Sequence, residues 1–147
     1  MNQSTLQPLL VALLFLSSLL TSTAIERQKH RERSLFGAPK TTVSILNALP
    51  EDLDLTVHCK SGDDDLGEKI LQFNGTYEWS FHVNFGVTTL FFCSFSWRNA
   101  AGSFEIYKAK RDMNWRCPTY CSWAARDDGV YGYKESDHVN DIHFPWP

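Results

Sequence analysis

A histidine, a lysine and three consecutive aspartates lie close together in the segment HCKSGDDDLG, from His58 to Gly67. A second histidine, His82, lies farther along the chain. Two histidines and a lysine can supply the acid, base and anion-stabilising groups of a ribonuclease-like hydrolase, whereas adjacent carboxylates are oxygen ligands that suit Ca²⁺. Glycine and aspartate are also favoured in solvated turns between strands. The elements that carry these residues decide among the three interpretations.

The spacing of the acidic residues disfavours a calcium site. An EF-hand-type loop that began at Asp63 would need glycine at its sixth place and glutamate at its twelfth, where the chain has Glu68 and Asn74. Neighbouring side chains on an extended segment also point in different directions. We therefore predict that no metal is bound, and that Asp63, Asp64 and Asp65 form an exposed acidic turn of the kind that partner proteins contact.

The hydrolase hypothesis requires His58, His82 and Lys60 to converge. Both histidines alternate with apolar residues, so each falls on the polar face of a strand, and nothing in the pattern brings them together. The chain also lacks the G-x-S-x-G motif of a serine nucleophile. We expect a protein that is not an enzyme and needs no cofactor; a secreted hydrolase that uses these three residues is the alternative.

Residues 1–24 have the features of a secretory signal peptide. An apolar run from Pro8 to Leu20 is shorter than the ~20 residues of a membrane span, and the small residues Ser22 and Ala24 occupy the −3 and −1 places of a cleavage site. No second apolar run is long enough to cross a bilayer. The sequence therefore predicts a secreted, extracellular protein without a transmembrane segment.

Residues 25–40 differ in composition from residues 41–147. They carry five basic residues against two acidic ones and almost no apolar side chain before Leu35. Such a segment cannot bury enough apolar surface to fold alone, so we predict a disordered basic arm. Without the arm the chain has a net charge of about −6, compared with −3 for the whole sequence, and an acidic domain is a poor partner for nucleic acid.

Period-two alternation of apolar and polar residues runs through most of residues 41–147. In LDLTVHC, for example, Leu55, Val57 and Cys59 share one face. YEWSFHV and VTTLFFCSFSW alternate in the same way, and turn signals rich in glycine, asparagine and aspartate separate the segments. The pattern predicts an all-β antiparallel sandwich of about seven or eight strands. We also expect a short C-terminal tail, held against one end of the sandwich by the side chains of Phe144 and Trp146.

Four cysteines in a secreted domain indicate two disulfides. Three pairings are open in principle. Cys59 and Cys93 both fall on the apolar faces of long strands, whereas Cys117 and Cys121 are close in sequence and flank Pro118. The alternation therefore favours one bridge between Cys59 and Cys93 inside the core, and a second that closes a short ring between Cys117 and Cys121.

Several of these segments, in this order, resemble the plant self-incompatibility S-protein homologue family of small secreted proteins. The segments are VSILNAL, LTVHCKSGDDDLG, YEWSFHVN, LFFCSFSW, FEIYKAKRD and CPTYCSWAARDDGVYGY, and they extend over about Thr42 to Tyr133. The resemblance implies a β-sandwich, two intramolecular disulfides and a non-enzymatic role as an extracellular ligand. The ligand role rests on the resemblance alone.

One modification site stands out in a predicted turn. Asn74, Gly75 and Thr76 form an N-glycosylation sequon in a chain that is expected to be secreted. We predict a glycan on Asn74, which would keep this turn solvated and leave other turns for partner contact.

For a ligand we expect a monomer that binds a cell-surface receptor protein on another plant cell. The turns between strands are the expected contact surfaces, and the predicted binding residues are Asp63, Asp64, Asp65, Arg126, Asp127 and Asp128. The second alternative is a cell-wall carbohydrate-binding module, in which Trp115 and Trp146 would be surface platforms.

Overall fold

The computed structural model describes residues 40–98 and 100–147. The predicted signal peptide and residues 25–39 of the predicted basic arm lie outside the described residues. Lys40, the last residue of that arm, is the first residue of a β-strand.

The described residues form nine strands and one short helix. In chain order these elements are β1 (Lys40–Asn47), β2 (Leu55–Lys60), β3 (Asp65–Leu71), β4 (Thr76–His82), β5 (Leu90–Trp97), β6 (Ala100–Lys108), α1 (Ala109–Asp112), β7 (Tyr120–Arg126), β8 (Gly129–Tyr133) and β9 (Asn140–Pro145).

The strands form two sheets, a five-stranded sheet in the order β4-β1-β7-β8-β9 and a four-stranded sheet in the order β3-β2-β5-β6. Neighbouring strands are antiparallel except for β1 and β7, which run parallel. The predicted all-β sandwich with two disulfides is confirmed. It has more strands than the seven or eight expected, because β3 and β9 come from segments that the alternation did not mark as strands.

The core lies between the two sheets and contains the apolar faces that the alternation predicted. Along β2, buried Leu55, Val57 and Cys59 alternate with partly exposed residues. Aromatic side chains join the sheets: the ring of Phe81 on β4 lies 4.6 Å from that of Phe91 on β5 and 4.8 Å from that of Tyr107 on β6, between centroids. Burying such a side chain stabilises the fold by about 1.5–3 kcal/mol.

The C-terminal segment was predicted as a short tail that Phe144 and Trp146 pack onto the sandwich; both side chains do pack there, but the segment is a strand. Residues Asn140–Pro145 form β9, an edge strand that pairs antiparallel with β8. The ring of Phe144 stacks on those of Phe104 and Trp123, with centroids 5.1 and 5.8 Å away. The tail is therefore part of the five-stranded sheet, and its aromatic side chains close the core.

The sandwich has two distinct ends. At one end, which we call the acidic end, residues 61–64 connect β2 to β3. The β4–β5 connection also lies there, and so does the start of β1, since Lys40 at the start of β1 is paired in register with His82 at the end of β4. At the opposite end, which we call the sequon end, the β1 residue Asn47 accepts a hydrogen bond of 3.0 Å from the backbone N–H of Asn74. The β7–β8 turn also lies there, since Asn47 is paired with Ala125.

Candidate functional site

The turn between β2 and β3 is ordered by one serine. The hydroxyl of Ser61 accepts hydrogen bonds from the backbone N–H groups of Asp63 and Asp64, at 3.3 and 3.0 Å, and its own N–H donates to the carbonyl of Asp64 at 2.8 Å. The side chains of Asp63 and Asp64 are exposed. These bonds hold two carboxylates in water on a fixed backbone.

Asp65 does not belong to this turn, contrary to the sequence prediction, because it begins β3. Its carboxylate contacts Nε2 of His58 at 2.5 Å and Nζ of Lys60 at 3.1 Å, and it accepts the backbone N–H of Gly67 at 3.0 Å. The hydrogen bonds from His58, Gly67 and Lys60 hold the pKa of Asp65 well below its usual range. Asp65 thus ties β3 to β2.

A second ordered loop lies beside the acidic turn. The side chain of Asn84 donates to the hydroxyl of Thr88 and accepts the backbone N–H of Thr88, both at 2.8 Å. Val87 has a φ of 53°, a strained value for a β-branched residue. The loop presents Phe85 with its side chain fully exposed. From the sequence, this NFG segment was only a turn signal, although an aromatic residue inside a turn was a hint of its exposure.

A cleft of about 470 Å³ separates the two loops. Asp63 and Asp64 line one side of it, and His82, Asn84 and Thr88 line the other. We call Asp63, Asp64, Phe85 and this cleft the acidic-end surface. It combines two exposed negative charges with one large exposed apolar side chain.

The residues of the hydrolase hypothesis do not converge. His58 and Lys60 both pair with Asp65, and His58 lines a depression on the outer face of the four-stranded sheet with Glu68. His82 instead lines the cleft at the acidic end. The two histidines therefore do not share a pocket in which both could act on one substrate.

The other predicted binding turn lies at the sequon end. Nη2 of Arg126 donates to the hydroxyl of Tyr133 at 2.8 Å, and its guanidinium lies 4.8 Å from the ring centroid of Tyr131. The hydroxyl of Tyr131 donates to Asp128, and this bond raises the pKa of Tyr131. All three residues are exposed, and Arg126 and Asp128 are in addition bonded within the protein.

The sequon asparagine lies at the same end, far from the acidic turn. Asn74 is exposed, with a φ of 58° in the turn between β3 and β4. Asparagine tolerates this left-handed conformation better than most residues. The position is accessible for glycosylation, which stays a prediction.

The two tryptophans of the carbohydrate-binding alternative have different environments. Trp115 is 87% exposed. Trp146, predicted as a surface platform, is partly buried instead: its indole N–H donates to the carbonyl of Arg126 at 2.8 Å, and its ring packs against Phe95 and Trp97. The structure therefore does not supply Trp146 as a free platform.

The structure joins Cys59 to Cys93 and Cys117 to Cys121, the pairing that the alternation favoured. Cys59 and Cys93 are opposite each other on β2 and β5, with Cα atoms 4.0 Å apart. All four cysteines are buried. Since the sequence has four cysteines, none is left as a thiol nucleophile.

A buried ionic cluster was missed from the sequence. Asp112, completely buried, pairs with Arg111 at 2.7 Å, and Arg116, 5% exposed, pairs with Asp141 at 3.0 Å. Arg116 also lies over the ring of Trp123, 4.7 Å from its centroid. The sequence analysis predicted no site here, because nothing in a short polar segment indicates burial.

Within residues 40–98 and 100–147, no three histidine, cysteine or acidic side chains are grouped so that they could hold a metal ion. The same part of the chain has no helix with the length and apolar character of a membrane span.

Comparison with known proteins gives consistent matches along the folded chain. The family described as plant self-incompatibility protein S1 matches residues 42–146, farther than the sequence segments, which ended at Tyr133. S-protein homolog 6 of Arabidopsis thaliana is 49% identical over 109 residues, covering 74% of this chain and 77% of that protein. S-protein homolog 24 of the same plant is 42% identical over 130 residues, covering 88% and 83%.

A solved structure has the same fold. It matches with a TM-score of 0.58 and 24% sequence identity, covering 76% of this chain and 97% of the other. That protein is one of the self-incompatibility protein homologues, described as a widespread family of small, highly stable, secreted proteins from plants.

Proposed function

Because the chain belongs to the plant self-incompatibility protein S1 family, we propose that this secreted protein is a non-enzymatic extracellular ligand, and that its acidic-end surface binds a receptor protein on another plant cell. The observation that carries the proposal is the fully exposed side chain of Phe85 on an ordered loop, across a cleft from the exposed carboxylates of Asp63 and Asp64.

Large aromatic side chains contribute much of the binding energy in protein interfaces when they enter a pocket of the partner. The side chain of Phe85 is already exposed, so no part of the fold has to open before it can make such a contact. The hydrogen bonds of Asn84 and Ser61 fix both loops before binding, so less conformational entropy is lost in the complex. The two carboxylates favour a receptor whose site is apolar at its centre and basic at its rim.

The positions of the two histidines support the proposal that the protein is not an enzyme. His58 and Lys60 are held by Asp65, and His82 lines a cleft whose other side is formed by the acidic turn. The proposal concerns recognition between cells and does not include the rejection of pollen.

The test measures binding of fluorescently labelled protein to plant protoplasts, which have no cell wall. We expect Phe85→Ala to weaken binding at least tenfold, and the double variant Asp63→Asn/Asp64→Asn to weaken it and to reduce its dependence on salt. Asp65 is left intact in these variants because it has a structural role.

Matched controls come from the sequon end. Phe73→Ala removes an aromatic side chain that is 40% exposed, and Glu51→Gln/Asp54→Asn removes two exposed charges; both should bind as the unmodified protein does. Equal binding by Phe85→Ala and Phe73→Ala would contradict the proposed surface. RNA hydrolysis that disappears with His58→Ala would contradict the ligand role.

A further inference from the structure

A trough runs along the outer face of the five-stranded sheet, with a volume of about 740 Å³. Its floor lies on two neighbouring interior strands, with Ser44 and Leu46 on β1 and Ser122 and Ala124 on β7, and Ser44 is only 6% exposed. Larger side chains on the flanking strands form the walls, Glu78 on β4 and Tyr133 on β8. Three strand spacings separate β4 from β8, so the trough is about 14 Å wide between backbones.

Two tyrosines of the trough are fixed by hydrogen bonds. The hydroxyl of Tyr120 donates to Oε1 of Glu78 at 2.6 Å, across β1, and this bond raises the pKa of Tyr120. The hydroxyl of Tyr133 accepts a hydrogen bond from Arg126 at 2.8 Å. Tyr120 is 40% exposed. Both rings are therefore held in place as aromatic surfaces before any ligand binds.

The charges of the trough indicate the chemistry of its ligand. It holds one carboxylate, Glu78, and one guanidinium, Arg126, with the accessible hydroxyls of Thr76 and Ser122. The two charges offset each other, so the trough attracts neither a polyanion nor a polycation. Neutral ligands rich in hydroxyl groups, with C–H faces that pack on aromatic rings, fit this combination.

An extended peptide is a weaker candidate. Peptides that bind β-sheets add to an open edge, where backbone groups are unpaired. The floor of this trough is formed by interior strands, since β1 pairs with β4 and β7, and β7 pairs with β1 and β8. Only side chains can contact a ligand here, which is how saccharides are bound.

We propose that this trough binds a neutral polysaccharide chain of the plant cell wall. Tyr120 and Tyr133 would pack against sugar rings, and Glu78, Arg126 and the hydroxyls of Thr76 and Ser122 would bind their hydroxyl groups. This site is separate from the acidic-end surface, and it would retain the secreted protein in the wall independently of any receptor.

The test titrates the protein with cellohexaose, xylohexaose and mannohexaose by calorimetry, and with hexagalacturonic acid and a serine-rich hexapeptide for comparison. All samples carry Asn74→Gln, so that they are homogeneous and free of glycan near Thr76, which belongs both to the sequon and to the trough. We expect at least one neutral hexasaccharide to bind. Tyr120→Ala and Tyr133→Ala should each weaken that binding at least tenfold, which corresponds to about 1.4 kcal/mol.

Trp115→Ala is the matched control, since Trp115 is more exposed than either tyrosine but lies outside the trough. It should bind the saccharide unchanged, and backbone amide signals of Ser122 and Ala124 should shift on titration even if an alanine variant proves unstable. The proposal is overturned if no neutral hexasaccharide binds at millimolar concentration, if the acidic sugar or the peptide binds better, or if Trp115→Ala abolishes binding. Protoplast binding does not depend on the trough, so the two proposals fail separately.

Discussion

Among the residues of HCKSGDDDLG, the reactive side chains divide into a structural group and an exposed group. Asp65 binds His58 and Lys60 across the β2–β3 pair, whereas Asp63 and Asp64 remain in water. Neither group resembles a catalytic site. Adjacent positions in the sequence thus have opposite roles, and one-residue differences in strand boundaries decide which role each has.

Asp65 should make the protein sensitive to acid. Its pKa is lowered by hydrogen bonds from His58, Gly67 and Lys60, so its contribution to stability is complete above the unfolded-state pKa of about 3.9 and is lost as the pH falls toward the folded-state value. We expect Asp65→Asn to lower the thermal midpoint at pH 7 and to flatten its fall between about pH 5 and pH 2. Parallel curves for the two proteins would contradict this assignment.

Arg116 should be costly to remove because it is a buried charge that pairs with the partly exposed Asp141 and lies near the buried Asp112. Its guanidinium binds Asp141 and lies near Asp112 and the Trp123 ring. Arg116→Ala leaves Asp141 without its partner, whereas Asp112 keeps Arg111, so we expect a loss of about 3 kcal/mol in the free energy of unfolding by urea, the lower end of the range for a broken buried pair. The exposed pair of Lys108 and Glu105 is the control, since Lys108→Ala should cost no more than about 1 kcal/mol.

At the scale of elements, alternation located the strands that have one face in the core and one in water. It missed β3 because that edge strand is exposed along most of its length, with a burial pattern that does not alternate. It also missed β9, because Asn140, Asp141 and His143 make this segment polar, and we interpreted a polar terminal segment as a tail. The parallel pairing of β1 and β7 joins segments far apart in the chain, and no local pattern encodes it.

The same limit applied to the candidate sites. The trough is a property of neighbouring strands: its floor residues, its two tyrosines and Glu78 come from four strands, and each looks ordinary within its own segment. Turn residues such as Asp63 and Arg126 were easier to find, because turn chemistry is local. The sequence did not show that these two turns lie at opposite ends of the sandwich; only the pairing of the strands shows it.

Phe144 tests whether β9 is an integral strand. Its ring lies between those of Phe104 and Trp123, but its side chain is only partly buried. We expect Phe144→Ala to destabilise the protein by about 3 kcal/mol, the lower end of the range for core phenylalanines. Val139, 52% exposed just before β9, is the control, and equal stabilities of Phe144→Ala and Val139→Ala in urea unfolding would show that β9 contributes little.

For the whole molecule, both disulfides lie toward the acidic end, at the end of β2 and at the start of β7. They bridge sequence separations of 34 and 4 residues. The chain-entropy estimate gives about 4 kcal/mol for the longer loop and about 2 kcal/mol for the shorter one. Cys59→Ser/Cys93→Ser should therefore lower the free energy of unfolding more than Cys117→Ser/Cys121→Ser. Non-reducing peptide mapping that linked Cys59 to Cys117 or Cys121 would refute the pairing.

The separation of the two ends gives the last prediction. A glycan on Asn74 would lie at the sequon end, opposite the acidic-end surface, so Asn74→Gln should reduce the mass of the secreted protein and leave protoplast binding unchanged. Gly86→Thr creates a new sequon at Asn84, in the loop that displays Phe85, where an added side chain would have only ordinary contacts with Thr88. A glycan at that position should block binding by steric exclusion. Undiminished binding by fully glycosylated Gly86→Thr, verified by mass spectrometry, would mean that the receptor contacts another part of the molecule.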